Sequence, residues 1–262
     1  MELQDSTFEI QNTAVLAFPD TTRVAGYRAA LGLWTHLTAP GEPTTTTSTH
    51  YASPASQTLT APASPLPPAP SSDHPTLLFS TPSLLPTATF CFVTGLPAAE
   101  YVADLADQLV SVLEAHGVRR LVVPAAVNLV GMRDAEHLWT WGAAPGGVSA
   151  RGALEEGVRV DDAFLSAVCN MAEVAEMEVV ALVHGDKRPS GSSGRQRTTF
   201  GSEYVDQWDA QVVGALANAV AAVVPGMPMA SASAAAAAAV QAEVTRTCHD
   251  VDSSAKGLAV YA

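Results

Sequence analysis

Basic residues are scarce in this sequence. The chain carries 13 Lys and Arg against 26 Asp and Glu, which gives a formal charge of −13, and only 15% of its residues are charged. A nucleic-acid backbone and an anionic membrane surface both attract a basic protein face. The composition therefore argues against a nucleic-acid binder and against an electrostatic membrane-surface protein.

Cysteine is scarce as well. The three cysteines, Cys91, Cys169 and Cys248, lie far apart, and no Cys or His spacing suits zinc. We therefore expect no disulfide framework and no metal site. The acidic N-terminus does not resemble a signal peptide, and the most apolar stretch, residues 212–224, is too short to span a bilayer. These features favour a soluble protein of the cytoplasm and nucleus.

Proline is concentrated in one segment. Residues 39–75 hold nine of the 18 prolines and thirteen Ser or Thr, with little apolar periodicity. Such a composition buries too little apolar surface to offset the entropy of ordering. We predict that residues 39–86 are a largely disordered insertion. Residues 225–262 are also of low complexity and predict a spacer and a flexible C-terminal tail.

The rest of the chain alternates between strand and helix patterns. Short apolar runs predict buried strands, and apolar residues at helical spacing predict amphipathic helices between them. The predicted strands are residues 13–18, 89–94, 121–123 and 179–183, and the predicted helices follow Asp20, Ala98, Asp161 or Asp162, and Ser202. This order predicts a single α/β domain, residues 1–262, with three layers and a mostly parallel sheet.

The common catalytic motifs are missing. No phosphate-binding loop, dinucleotide fingerprint or nucleophile elbow occurs. Gly95 follows a predicted strand, where backbone amides can meet an anion, although a tight turn is the simpler interpretation. Cys169, His184 and Asp186 form a conceivable catalytic group, because His184 ends a strand at the edge where α/β proteins bind ligands. A core cysteine and a loop histidine are the simpler interpretation, so we expect no catalytic residue and no cofactor.

Several polar and aromatic clusters have simple structural explanations. The acidic pairs 155–156 and 161–162 suit helix caps and solvated faces rather than paired catalytic carboxylates. The aromatic run 137–141 suits either an interface or the edge of a core. The basic segment 187–197 suits a solvated loop, or a contact with an acidic partner.

The end of the chain carries the most specific signal. Val260, Tyr261 and Ala262 combine an apolar residue, a penultimate tyrosine and a terminal carboxylate behind a polar, flexible segment. A carboxylate of this kind binds in a cationic pocket, while the two preceding side chains add apolar contact. We therefore predict that Val260, Tyr261 and Ala262 form a partner-binding site.

This ending is similar to the docking signal of proteasome activators and proteasome assembly chaperones, and the body resembles the proteasome assembly chaperone family. The resemblance lies in the strand and Phe-Pro turn of residues 15–20 with the small-residue helix after it, in residues 90–113, and in residues 163–169, 179–183 and 204–216. The missing phosphate-binding loop excludes the activator ATPases.

The resemblance implies a function without catalysis. A family member of this kind pairs with a second, related chaperone and sits on the α-subunit ring of the 20S proteasome. Val260, Tyr261 and Ala262 would then enter a pocket between α subunits. Two alternatives remain at this point: a small α/β enzyme of nucleosidase, phosphorylase or hydrolase type, and an interaction domain with no link to the proteasome.

Overall fold

The computed structural model describes most of the predicted body of the chain. The described residues are 9–20, 25–38, 45–50, 76–132, 137–142, 150, 152–155, 157–186 and 202–228. The strands in this part are β1 (Thr13–Ala17), β2 (Thr45–His50), β3 (Thr76–Thr81), β4 (Ala88–Val93), β5 (Arg120–Val130), β6 (Leu138–Gly142), β7 (Arg159–Val160) and β8 (Glu178–Asp186). The helices are α1 (Ala25–Leu37), α2 (Val102–Ala115), α3 (Ala163–Val174) and α4 (Ser202–Val223), and a 310 turn, Ala99–Tyr101, precedes α2.

One mixed sheet forms the centre of the fold. Its strand order is β2-β3-β4-β1-β5-β8-β6, and the short β7 pairs with the end of β5. The four central strands, β4, β1, β5 and β8, are parallel to one another. At the two edges the pairings β2-β3, β3-β4 and β6-β8 are antiparallel. The predicted α/β fold and its parallel centre are confirmed. Helices intervene where parallel strands need long crossovers, and the antiparallel edges do not need them.

The helices cover both faces of this sheet. In β8, Val179, Ala181 and Val183 belong to a core shared with α2 and α3, while Val180 and Leu182 belong to a second core shared with α1 and α4. Because successive side chains point to opposite faces of a strand, a continuous apolar run is buried on both sides. The predicted three-layer arrangement is confirmed.

The ends of α2 and α3 follow from local chemistry. Gly117, with φ of +75°, ends α2, as its position after the apolar stripe predicts. Asp162 caps α3 through its Oδ1 atom, which accepts a hydrogen bond from the Leu165 amide at 2.9 Å. Of the two aspartates that the sequence offers for this cap, Asp162 is therefore the one used, and Asp161 is exposed.

The predicted insertion contains two strands of the sheet. β2 and β3 pair antiparallel with each other, and β3 pairs with β4, so the prediction of disorder is wrong for these stretches of residues 39–86. Leu77 and Phe79 are fully buried, and the Trp34 indole donates a hydrogen bond to Ser80 Oγ at 3.0 Å. The Pro and Ser/Thr composition conceals this apolar run. Residues 39–44 and 51–75 lie outside the described part.

The strands β1 and β5 separate where helix α1 begins. Their pairing ends at Val15 and Val122, and Pro124 then follows in β5. The amides of Arg120 and Ala126 both donate on the side of β5 that faces β1. Because amide directions alternate along a strand, the even-numbered residues of β5 direct their amides toward β1. Pro124 has no amide to donate there. The space beside Pro124 is filled by the first turn of α1, where Gly26 contacts the strand backbone.

We predict that Gly26→Ala destabilises the protein strongly. A Cβ atom at position 26 would lie 2.1 Å from the Pro124 carbonyl oxygen, a backbone atom that moves only if α1 leaves the sheet. The expected loss in the free energy of unfolding is about 3 kcal/mol or more. Urea unfolding followed by circular dichroism measures it.

Gly214→Ala is the matched control. Gly214 lies in α4, and a Cβ there meets nothing within 4 Å. Alanine favours helix over glycine, so this variant should gain about 0.5–1 kcal/mol. Similar unfolding midpoints for the two variants would show that α1 does not depend on its close approach to β5.

Candidate functional site

The predicted partner-binding residues Val260, Tyr261 and Ala262 lie outside the described residues, as does the basic segment 187–197. The base of the C-terminal arm is described as far as Pro228. Val224 and Met227 are buried against the α1 and α4 core, and the Thr87 hydroxyl donates to the Pro225 carbonyl at 3.4 Å. The arm therefore leaves the body next to the start of β4, at the amino ends of the parallel strands.

The opposite edge of the sheet is where an enzyme of this fold would bind its ligand. Gly95 lies there, two residues after β4, and it is buried. Helical structure begins only at Ala99, and α2 has no side-chain cap at Tyr101. Gly95 therefore does not present its amide at a helix N-terminus. Such an N-terminus is the feature that an anion-binding interpretation of Gly95 requires.

Cys169 and His184 lie on opposite faces of the sheet. Cys169 is fully buried in the core shared with α2 and α3. His184 pairs with Ala126 and Leu138, which belong to the other core, so its side chain points to the α1 and α4 face. Asp186 is the last residue of β8. The three residues therefore do not form a catalytic group.

The protonation state of the thiols agrees with this geometry. Burial, together with the nearby negative charges of Glu173 and Asp162, raises the pKa of the Cys169 thiol to about 12. Burial likewise raises the pKa of the Cys91 thiol. A reactive cysteine needs a lowered pKa, because the thiolate is the nucleophile. His184 is 9% exposed, and its Nδ1 lies 3.0 Å from the Gly185 carbonyl oxygen.

The remaining polar and aromatic clusters are structural in the described part. Glu155 is exposed, Asp162 is the cap of α3, and Glu156 lies outside the described residues. In the aromatic run, Trp139 is buried and Trp141 is half-buried on the α2 and α3 face. The aromatic run therefore forms the edge of this core. Among the described residues, no group of three or more His, Cys, Asp or Glu could hold a metal ion, and no helix there is long and apolar enough to cross a membrane.

Asp20 is the buried polar group that joins the elements at the carboxyl edge. It is 7% exposed, and its Oδ2 atom accepts hydrogen bonds from the Gly26 amide at 2.7 Å and from the Ala126 amide at 3.0 Å. The sequence predicts Asp20 as a helix cap but not its reach to β5. The sequence feature that could have indicated this contact with β5 is Pro124. Because proline has no amide to donate, the pairing of β5 with β1 ends before Ala126.

This carboxylate lies at the topological switch point of the sheet. The chain leaves β1 toward β4 on one side, while it leaves β5 toward β8 on the other. In open α/β sheets, ligands bind in the crevice between two strands whose connections diverge in this way. Here a negatively charged side chain of the protein itself occupies the crevice, next to the start of α1. An anionic substrate at this position would meet the Asp20 charge.

No protein-family model and no curated protein sequence matches the chain. Several solved structures share its architecture. PbaA of Pyrococcus furiosus, described as an archaeal homolog of proteasome-assembly chaperone, aligns with a TM-score of 0.54 and 15% identity over 87% of this chain and 89% of that chain. The chain has the fold of PbaA.

Two proteins of unknown function have the same fold. One, from Thermoplasma acidophilum, aligns with a TM-score of 0.50 and 10% identity over 95% of this chain and 91% of its own. Another, from Mycobacterium tuberculosis, aligns with a TM-score of 0.50 and 15% identity over 99% of this chain and 86% of its own. At these identities the likeness concerns the fold and does not extend to individual site residues.

We predict that Cys91 and Cys169 resist alkylation in the native protein. With a pKa of about 12, roughly one Cys169 thiol in ten thousand is ionised at pH 8. Iodoacetamide at pH 8 should label both residues in urea and neither under native conditions, as read by peptide mass spectrometry. Rapid native labelling of Cys169 would restore a nucleophilic role for it.

Proposed function

We propose that this protein is a non-enzymatic chaperone of 20S proteasome assembly. The observation that carries the proposal is the fold shared with PbaA, whose description names it an archaeal homolog of proteasome-assembly chaperone. This likeness concerns the fold, whereas the prediction for the tail rests on the sequence of the last three residues. The body and the tail of the sequence therefore support the same function by separate routes.

The geometry of the carboxyl edge favours this function over the enzyme alternative. Cys169 and His184 are separated by the sheet, and the Asp20 carboxylate fills the switch-point crevice. The features that suggested a nucleosidase, phosphorylase or hydrolase thus lack a common site. A binding protein needs no such site, since its function lies in its surfaces and its termini.

In its finer form, the proposal makes this chain a counterpart of proteasome assembly chaperone 1. It would pair with a chaperone 2-like subunit and act in the cytoplasm and nucleus. The heterodimer would bind the α-subunit ring, and Val260, Tyr261 and Ala262 would enter a pocket between two α subunits. The terminal carboxylate would pair with a pocket lysine, and the net charge of −13 would favour approach to a basic pocket.

The body is suited to hold such a tail. Buried residues fix the end of α4 against the body, so residues 229–262 start from a defined point. A tether of this kind raises the effective concentration of the tail near its pocket once the body is bound. The tail would therefore contribute to affinity even if its own contact with the pocket is small.

We predict that removal of Tyr261 and Ala262 weakens binding to α subunits about 30-fold or more. The change removes the tyrosine ring and moves the terminal carboxylate back to Val260, away from its partner, and a paired buried charge contributes about 2 kcal/mol or more. Addition of a single glycine after Ala262 should act similarly, since it displaces the carboxylate while keeping the side chains. Biolayer interferometry with purified α-ring intermediates measures both. The unfolding midpoint should not change, because neither change alters a residue of the two described cores.

Ser254→Ala is the control within the arm, and it should bind as the unaltered protein does.

Affinity purification with mass spectrometry tests the wider proposal. The full chain should recover α subunits and a related chaperone without catalytic β subunits. Recovery of no proteasome subunit would reject the function. Equal binding by the truncated and full chains would reject only the role of the tail.

A further inference from the structure

Two backbone amides from separate elements converge on one carboxylate oxygen. The Gly26 amide belongs to the first turn of α1, and the Ala126 amide belongs to β5, 100 positions later in the numbering. They donate to Asp20 Oδ2 at 2.7 Å and 3.0 Å. We propose that these amides form an oxyanion-binding site and that the Asp20 carboxylate is its resident ligand.

The donors exist independently of the aspartate. The Ala126 amide points toward β1, but the β1 and β5 pairing ends four positions earlier, at Val122, because Pro124 interrupts it. The Gly26 amide is one of those that have no partner within their own helix. Both amides would therefore remain as donors if the Asp20 side chain were shortened.

Charge and burial favour an anion at this position. The N-terminus of α1 carries a partial positive charge, and α1 has 13 residues, enough to sustain it. Asp20 is 7% exposed, so its two hydrogen bonds lie in a setting that excludes most water and strengthens charge-assisted contacts. A small carboxylate such as formate has the same head group as the Asp20 side chain.

This site is distinct from the proposed docking tail. It lies at the carboxyl edge of the sheet, whereas the C-terminal arm leaves from the amino ends of the strands, near Thr87. The inference therefore does not rest on the chaperone function. The Asp20 side chain keeps this site filled, so the crevice does not receive an external anion in the unaltered chain.

The test is chemical rescue of Asp20→Ala by formate. In sodium chloride, this variant should have a lower melting temperature than the unaltered protein, because two buried amides lose their acceptor. In sodium formate of equal ionic strength, its melting temperature should rise by about 4 °C at a formate concentration about ten times the dissociation constant. The unaltered protein should show no such difference between the two salts.

Two further variants isolate the site. Asp107→Ala removes the same charge from an exposed position of α2, and it should respond to formate no more than the unaltered protein. Asp20→Asn keeps a side chain in the crevice, and it should fold and also fail to respond to formate. If Asp20→Ala does not fold in chloride, the folded fraction recovered in formate replaces the melting temperature as the measurement.

The proposal is overturned by any of three results. The first is a stability of Asp20→Ala in chloride equal to that of the unaltered protein, which would show that the amides need no anion. The second is a variant that formate stabilises no more than chloride does, in melting temperature or in folded fraction. The third is an equal gain from formate by Asp20→Asn and Asp20→Ala, which would place the formate elsewhere.

Discussion

The contact between α1 and β5 is the constraint on which the rest of the fold depends. Gly26 brings the helix within contact of the Pro124 carbonyl, and the Asp20 carboxylate ties the same turn to Ala126. Because α1 lies so close, Tyr27 and Trp34 become fully packed against the sheet. The α1 and α4 layer can then cover this face as one unit, with a single apolar core between helices and strands.

The same contact decides what each edge of the sheet can do. At the carboxyl edge it places the Asp20 carboxylate in the crevice in which other open α/β folds bind small molecules. At the amino edge, buried residues at the end of α4 hold the start of the C-terminal arm against the body. The two edges of the sheet therefore differ, because the carboxyl edge holds the Asp20 carboxylate and the amino edge is where the described chain ends after α4.

The sequence predicted individual strands and helices better than it predicted which of them pack against each other. Apolar runs and helical spacing identified the central strands, the helices and the cap near Asp162, because these depend on local pattern. Cys169 and His184 could not be separated in this way, since the face that α3 covers is a tertiary property. β2 and β3 were missed because β2 is Thr-rich and pairs with a distant strand. The sequence predicts Asp20 only as a local cap, because the second hydrogen-bond donor to its side chain lies at position 126.

The low identity to PbaA has a physical explanation in this architecture. The central strands are buried on both faces by Val, Leu, Ala and Phe, and cores of this type tolerate exchanges that keep volume and polarity. Such a core can therefore keep its fold while losing recognisable sequence, and its residues carry little information about function. Information about function must lie where a residue breaks the apolar pattern. In the described part Asp20 is such a residue, and its carboxylate fills the crevice between β1 and β5.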